Sequence, residues 1–158
     1  MAYALDTMRL GIRGNLADGG ILPSVIQNYV GYNDMVYSPC FGQVVFVENG
    51  HRDPPAFTPG NPLLGNYVVI QCQEFFITLG NLRNNSIPLK VGDRVSADTL
   101  VGYVGNSGQP SIPHLHIHAT KGGWKQGEGT PVLMLFDGTF SFTINRFYVR
   151  NDLGIHNI

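Results

Sequence analysis

Glycine and proline interrupt this chain so often that a long helix has no room to form. The 158 residues include 20 glycines and 10 prolines. Proline fixes φ and removes a donor, and interior glycine weakens a helix through backbone entropy. No amphipathic pattern of ten or more residues survives between these breaks, and no long repeat or low-complexity tract is present. What remains is a series of short β-branched runs separated by turns. That pattern predicts an all-β chain, built as a compact antiparallel sandwich or barrel.

The first 35 residues read as irregular, apart from a short strand-like Tyr3-Ala4-Leu5-Asp6. A strand is expected at Val36–Cys40 and another at Gly42–Val47. In the latter, alternation puts Val44 and Phe46 on one side and Val45 and Val47 on the other. Glu48 to Gly65 is a loop dense in turn residues. Strands are expected at Asn66–Cys72 and Glu74–Leu79, a turn at Asn84-Asn85-Ser86, and short strands in Lys90–Val95 and Leu100–Gly105. Asn106 to Pro113 reads as a loop, His114 to Ala119 as a strand, Gly122 to Gly129 as a glycine-rich loop, and Thr139 to Val149 as a further alternating tail.

The length suits a single domain over 1–158, with a core over 35–119 and a C-terminal β extension over 130–150. Only 13% of residues are charged, about half the usual share, and the net charge is −1. A nucleic-acid partner has little electrostatic support in such a chain. No run of ~20 apolar residues predicts a membrane span. Met1 to Arg13 lacks a charged start followed by a long apolar stretch, so no secretory signal is expected there. Cys40 and Cys72 are too few for a disulfide scaffold. Two buried free thiols are the expectation, and pairing across neighbouring strands is the alternative.

The residues with most chemical potential are His114, His116 and His118, in His-Leu-His-Ile-His. In a strand, positions i, i+2 and i+4 share a face, so three imidazoles line one side and Leu115 and Ile117 the other. Neutral imidazole is the commonest metal ligand, and catalytic zinc takes three protein ligands with one open position. Neighbouring histidines of the row can converge on one ion, whereas all three would need the strand to bend. The competing reading is a solvated edge strand with incidental histidines. Asp6 ends an apolar segment and is a candidate oxygen ligand, or equally a surface acid or turn cap. His51 reads as a solvated loop residue and His156 as part of a disordered end. Ser107 lacks the strand–elbow–helix context of a nucleophile. Trp124 is a substrate contact if exposed and packing if buried.

Taken together, several stretches resemble the lysostaphin/LytM-type zinc metallopeptidases. These are Gly65–Ile70, Leu89–Val95, Leu100–Gly108 and Pro113–His118, with Val36–Val45 resembling the strand pair that opens the core. The resemblance implies the duplicated hybrid β motif of that family, with a groove, one Zn2+ and hydrolysis of peptide cross-links in bacterial cell walls. It implies that Asp6 and His116 bind the metal, that His114 is the catalytic imidazole, and that the cell envelope or the exterior is the place of action. Two family histidines have no match. Ala2 stands where the first ligand falls, and Asn81, in Gly80-Asn81-Leu82, stands where a second catalytic histidine falls. Asn81 keeps a hydrogen-bond donor for an oxyanion but cannot carry a proton. His118 is a further candidate ligand. The partner that the resemblance implies is a peptide or peptidoglycan-like substrate, and the alternative function is an inactive relative that binds or regulates. A carrier or phosphohistidine module is a third reading, weakened because Lys90, Lys121 and Lys125 do not sit at carrier-type hairpin tips.

Overall fold

A computed structural model describes residues 3–58, 62–109, 111–136, 147–151 and 154–157. The strands are β1 (Leu5–Thr7), β2 (Met35–Tyr37), β3 (Gly42–Glu48), β4 (Asn66–Cys72), β5 (Phe75–Leu82), β6 (Arg94–Val95), β7 (Leu100–Tyr103), β8 (Leu115–Lys121), β9 (Thr130–Phe136), β10 (Phe147–Asn151) and β11 (Gly154–Asn157). Among the described residues the only helical element is one 3-10 turn at Ile26–Asn28, and none is long and apolar enough to cross a membrane. The chain is therefore all-β, as its turn density requires.

Nine strands form one sheet in the order β11-β10-β9-β8-β5-β4-β3-β6, with β1 added beside β8. All its pairings are antiparallel. β2 and β7 make a separate two-stranded ribbon. Val36 and Val101 of that ribbon join Val44, Ile70, Ile77, Leu79, Leu82 and Ile117 in one buried cluster. The ribbon thus covers one face of the sheet, and the apolar residues of β4, β5 and β8 point toward it. Burying these aliphatic chains, each worth ~1.5–3 kcal/mol, supplies the main drive to close this layer.

Four expectations need correction. First, β3 does not alternate regularly: a bulge between Val44 and Phe46 pairs Val44 with Ile70 but Phe46 with Val69. One extra residue reverses the faces beyond it, so Val44 and Val47 share the core side. Phe46 turns to the opposite face and stacks on Tyr67 at 5.1 Å and on the half-buried Trp124 at 4.7 Å. Second, Cys40 and Cys72 form a disulfide, with Cα atoms 6.1 Å apart. The β3–β4 hairpin brings together two positions 32 residues apart, which composition alone does not reveal. Gly42 allows the approach, since a Cβ there would run into the Gln71 carbonyl. Third, only Arg94–Val95 of the Lys90–Val95 run is strand, because Val91-Gly92 forms the turn. Fourth, His156 lies in β11 opposite Val149, where backbone pairing replaces the expected disorder. Of the alternating tail expected from Thr139, residues 139–146 lie outside the described residues, as does Ala2.

Candidate active site

Cross-strand partners share a face of a sheet, so the registers of β1, β5 and β8 define what surrounds the histidine row. Asp6 pairs with His116 across β1–β8, and Gly80 pairs with His116 across β5–β8. Thr78 pairs with His118. His116 therefore stands between a carboxylate on one side and a residue without a side chain on the other. Ile117 and Ala119 point to the core, each 1% exposed.

The Asp6 carboxylate is the hub. Its Oδ1 lies 2.9 Å from His116 Nδ1 and 3.5 Å from His114 Nε2. A carboxylate only accepts, so His116 donates from Nδ1 and its Nε2 carries the lone pair. That Nε2 lies 3.0 Å from His118 Nδ1, which donates to it. The result is a directed chain in which His118 donates to His116 and His116 donates to Asp6. Burial lowers the His116 pKa, and the Asp6 hydrogen bond only partly opposes it. Burial, followed by the neighbouring His116, lowers His118 to about 4. Both rings are thus held neutral at neutral pH.

His114 is fixed from its other side. Its Nδ1 lies 2.8 Å from the Ile112 carbonyl oxygen, an obligate acceptor, so the proton sits on Nδ1 and Nε2 is free to take one. Asn81 backs this arrangement. It is 2% exposed, has a left-handed φ of 60°, and takes the Gly108 N–H on its Oδ1 at 2.6 Å. Its amide nitrogen donates to the His114 carbonyl at 3.1 Å and lies 3.1 Å from His114 Nδ1. Asparagine tolerates that φ better than most residues. A Cβ at Gly108 would crowd Asn81 Oδ1 at 3.1 Å and the Leu63 carbonyl at 2.9 Å, so glycine keeps the loop close. Both ends of the Asn81 amide are engaged inside the protein.

The arrangement offers a proton acceptor, His114 Nε2, beside a carboxylate on an open face. As a metal centre the set fits in kind but not in number. Carboxylate oxygen and imidazole nitrogen suit zinc. Yet among the described residues no three His, Cys, Asp or Glu side chains are arranged to hold an ion. The two nitrogens of His116 point apart, so His118 meets the ring on the side away from Asp6. His51 pairs with Glu48 at 3.3 Å instead of joining the group. Ser107 is a brace: its hydroxyl donates to the Leu82 carbonyl at 2.6 Å and accepts the Asn66 N–H at 2.9 Å. Sequence reasoning missed the Ile112 carbonyl, because a backbone acceptor leaves no mark on residue type. The Asn81 brace had a signal in principle, a polar residue within the apolar β5 run.

Known proteins resemble this chain, the family match lying over residues that include His114, His116 and Asn81 but not Asp6. The model of peptidase family M23 matches residues 26–128. The peptidoglycan DD-endopeptidase ShyA of Vibrio cholerae serotype O1 is 41% identical over 59 residues, which are 37% of this chain and 14% of that protein. The chain thus spans a small part of this curated relative. Among solved structures, the catalytic domain of a mutant of the prophage-encoded M23 protein EnpA from Enterococcus faecalis aligns with a TM-score of 0.50 and 23% identity, covering 82% of this chain and 89% of that one. LytU aligns with a TM-score of 0.49 and 26% identity, covering 63% and 62% respectively.

Proposed function

The chain belongs to peptidase family M23, and from that premise we propose that it is a cell-wall hydrolase with weakened activity, cutting peptide cross-links of bacterial peptidoglycan at Asp6, His114 and His116. One observation carries this reading: a carboxylate and two imidazoles meet on an exposed sheet face although Asp6 and His116 are 110 residues apart in sequence. His114 Nε2 takes a proton from the attacking water and passes it to the departing amine, and Asp6, 3.5 Å away, steadies the imidazolium between the two transfers. Asn81 holds the His114 ring in place for this exchange.

Zinc enters the reading through the family resemblance. Asp6 and His116 are the donors we assign to it, His116 giving up the Nδ1 proton that it otherwise shares with Asp6. Two protein donors fall short of the three that catalytic zinc uses, so weak retention is expected and no step above depends on the ion. The buried Cys40–Cys72 disulfide supports an oxidising place of action, at the bacterial envelope or beyond it.

The test is release of new amino termini from purified peptidoglycan, with and without added zinc. The full chain is expected to release them above background. His114→Ala and Asp6→Ala are each expected to lower the rate by ~10²–10⁴-fold while remaining folded. Tight binding to peptidoglycan without any release would replace this reading with that of a binding domain. Unchanged rates in both variants would remove the assigned mechanism.

A further inference from the structure

The histidines occupy one end of the sheet face that looks away from the β2–β7 ribbon. The other end of that face carries a different set of side chains. One rung of the sheet runs Arg94–Gln43–Gln71–Phe76 across β6, β3, β4 and β5 through consecutive register pairs. Their chain neighbours Val95, Val44, Ile70 and Ile77 are buried in the core, as Ile117 is beside His116. Alternation therefore puts the four rung side chains on the face of the histidine row. Arg94, Gln43 and Gln71 are exposed, and Phe76 is half-buried. Beside them Phe41 is 79% exposed. Phe41, Gln43, Gln71, Gln73 and Arg94 are among the residues that line an open cleft of about 520 Å³. Between the two ends the Trp124 ring lies on Phe46, so the rung is a separate site from the histidine cluster.

We infer that this rung and its cleft bind the glycan strand of the peptidoglycan, a chain of N-acetylated aminosugars. A backbone carbonyl only accepts, so a side-chain amide meets it through nitrogen. Gln43 Nε2 donates to the Gly92 carbonyl at 3.1 Å, and Gln71 Nε2 to the Gln73 carbonyl at 3.3 Å. Both glutamines are thereby turned so that Oε1 is left as an acceptor. Arg94 has no ion pair or hydrogen bond among the described residues and adds a fork of donors. Sugar hydroxyls donate and accept, and the acetamido carbonyl accepts, so an aminosugar meets both kinds of group. Phe41 offers an aromatic ring to the apolar C–H face of a sugar. Its segment is braced, because Cys40 is tied to Cys72 and Gly42 lies against the Gln71 carbonyl. A ring held this way loses little freedom on binding. The rung spans three interstrand spacings, ~14 Å, which suits an extended chain over a compact molecule. Thr120 of β8 stands opposite Phe76 on the same rung, and His116 lies four residues, ~13 Å, closer to β1. About four extended peptide residues cover that distance, so a glycan on the rung can present its peptide branch to His114 and Asp6.

The choice of a glycan rests on the cell-wall reading above, but its test needs no cleavage. The probe is a soluble hexasaccharide of N-acetylglucosamine, added to the ¹⁵N-labelled full chain. Saturable shifts are expected at the Gln43 and Gln71 side-chain amides and at Arg94 Nε–H, with the backbone amides of His114 to His118 little moved. Phe41→Ala and Arg94→Ala alter exposed side chains, so both are expected to melt close to the wild type. Each is expected to weaken hexasaccharide binding ~10-fold or more. No shift at the rung, or a folded double variant that binds like the wild type, overturns the inference. Equal rung shifts with a free stem peptide that carries no sugar also overturn it, making the rung a peptide subsite. Rung shifts that depend on protein concentration without any probe overturn it too, making the rung a contact between copies of the chain. Hexasaccharide binding at the rung in a chain that never cleaves peptidoglycan would sustain this inference and overturn the peptidase reading alone. Cleavage without rung binding would do the reverse.

Discussion

The two halves of β8 lie on the same sheet but have different neighbours along one edge. Leu115 to Ile117 pair with β1, only three residues long, whereas Ala119 to Lys121 pair with the seven-residue β9. At the β1 end the face is open: the side chain of Asp6 is 55% exposed and that of His116 is 14% exposed. At the β9 end it is closed: His118 is 7% exposed, and Val132 and Met134 add to the core. β5 runs along the other edge of both halves. The difference teaches where each property comes from. β5 and β9 hold the strand through buried area, and the short β1 delivers one charged group without covering the site.

The contrast can be broken first at the core beneath the open end. Ile117 is 1% exposed and pairs with Leu5 of β1, which is 41% exposed. Ile117→Ala is expected to cost ~2–5 kcal/mol in urea unfolding, whereas Leu5→Ala costs less than ~1 kcal/mol. Equal losses would mean that β1 is as structural as β9. The closed end is tested next through its staple. Cys72 pairs with Phe75, and Phe75 pairs with Lys121 where β9 begins, so the disulfide braces that end. Replacing Cys40 and Cys72 together by Ser is expected to cost ~3 kcal/mol, with hydrogen-exchange protection falling more at β9 than at β1.

The smallest effect concerns the boundary between the halves. The folded pKa of His118, about 4, lies below its ordinary value of 6.5. The folded protein therefore binds fewer protons than the unfolded one over that range. The stabilisation is complete above 6.5 and fades as pH falls toward 4, by at most ~3 kcal/mol in the metal-free protein. Unfolding curves at pH 7 and pH 4.5 check this, and His118→Asn should flatten the dependence.

Much of the fold was legible because strand alternation is local. The β4 run of Val68, Val69 and Ile70 and the His114–His118 alternation needed only neighbouring residues to be read as strands. The site was legible only with the family resemblance, which picked out Asp6. Nothing within Tyr3–Asp6 tells a ligand from a surface acid. The β3 bulge was hidden because Val44 to Val47 are all apolar, so a one-residue slip leaves the pattern of residue types unchanged. Asn81 carried the expectation of an oxyanion donor, yet its amide is turned inward to Gly108 and His114. That follows from how closely the 105–108 loop approaches β5, a distance no sequence window contains.

By itself, the sequence determined a β chain with three imidazoles on one side of one strand, because residues two apart in an extended backbone must share a face. The tertiary structure decided which nitrogen each imidazole offers and to whom. A tautomer is chosen by the acceptor it meets. Here those acceptors, the Asp6 carboxylate and the Ile112 carbonyl, are set by strand register and loop path, which depend on burial and pairing across the whole sheet.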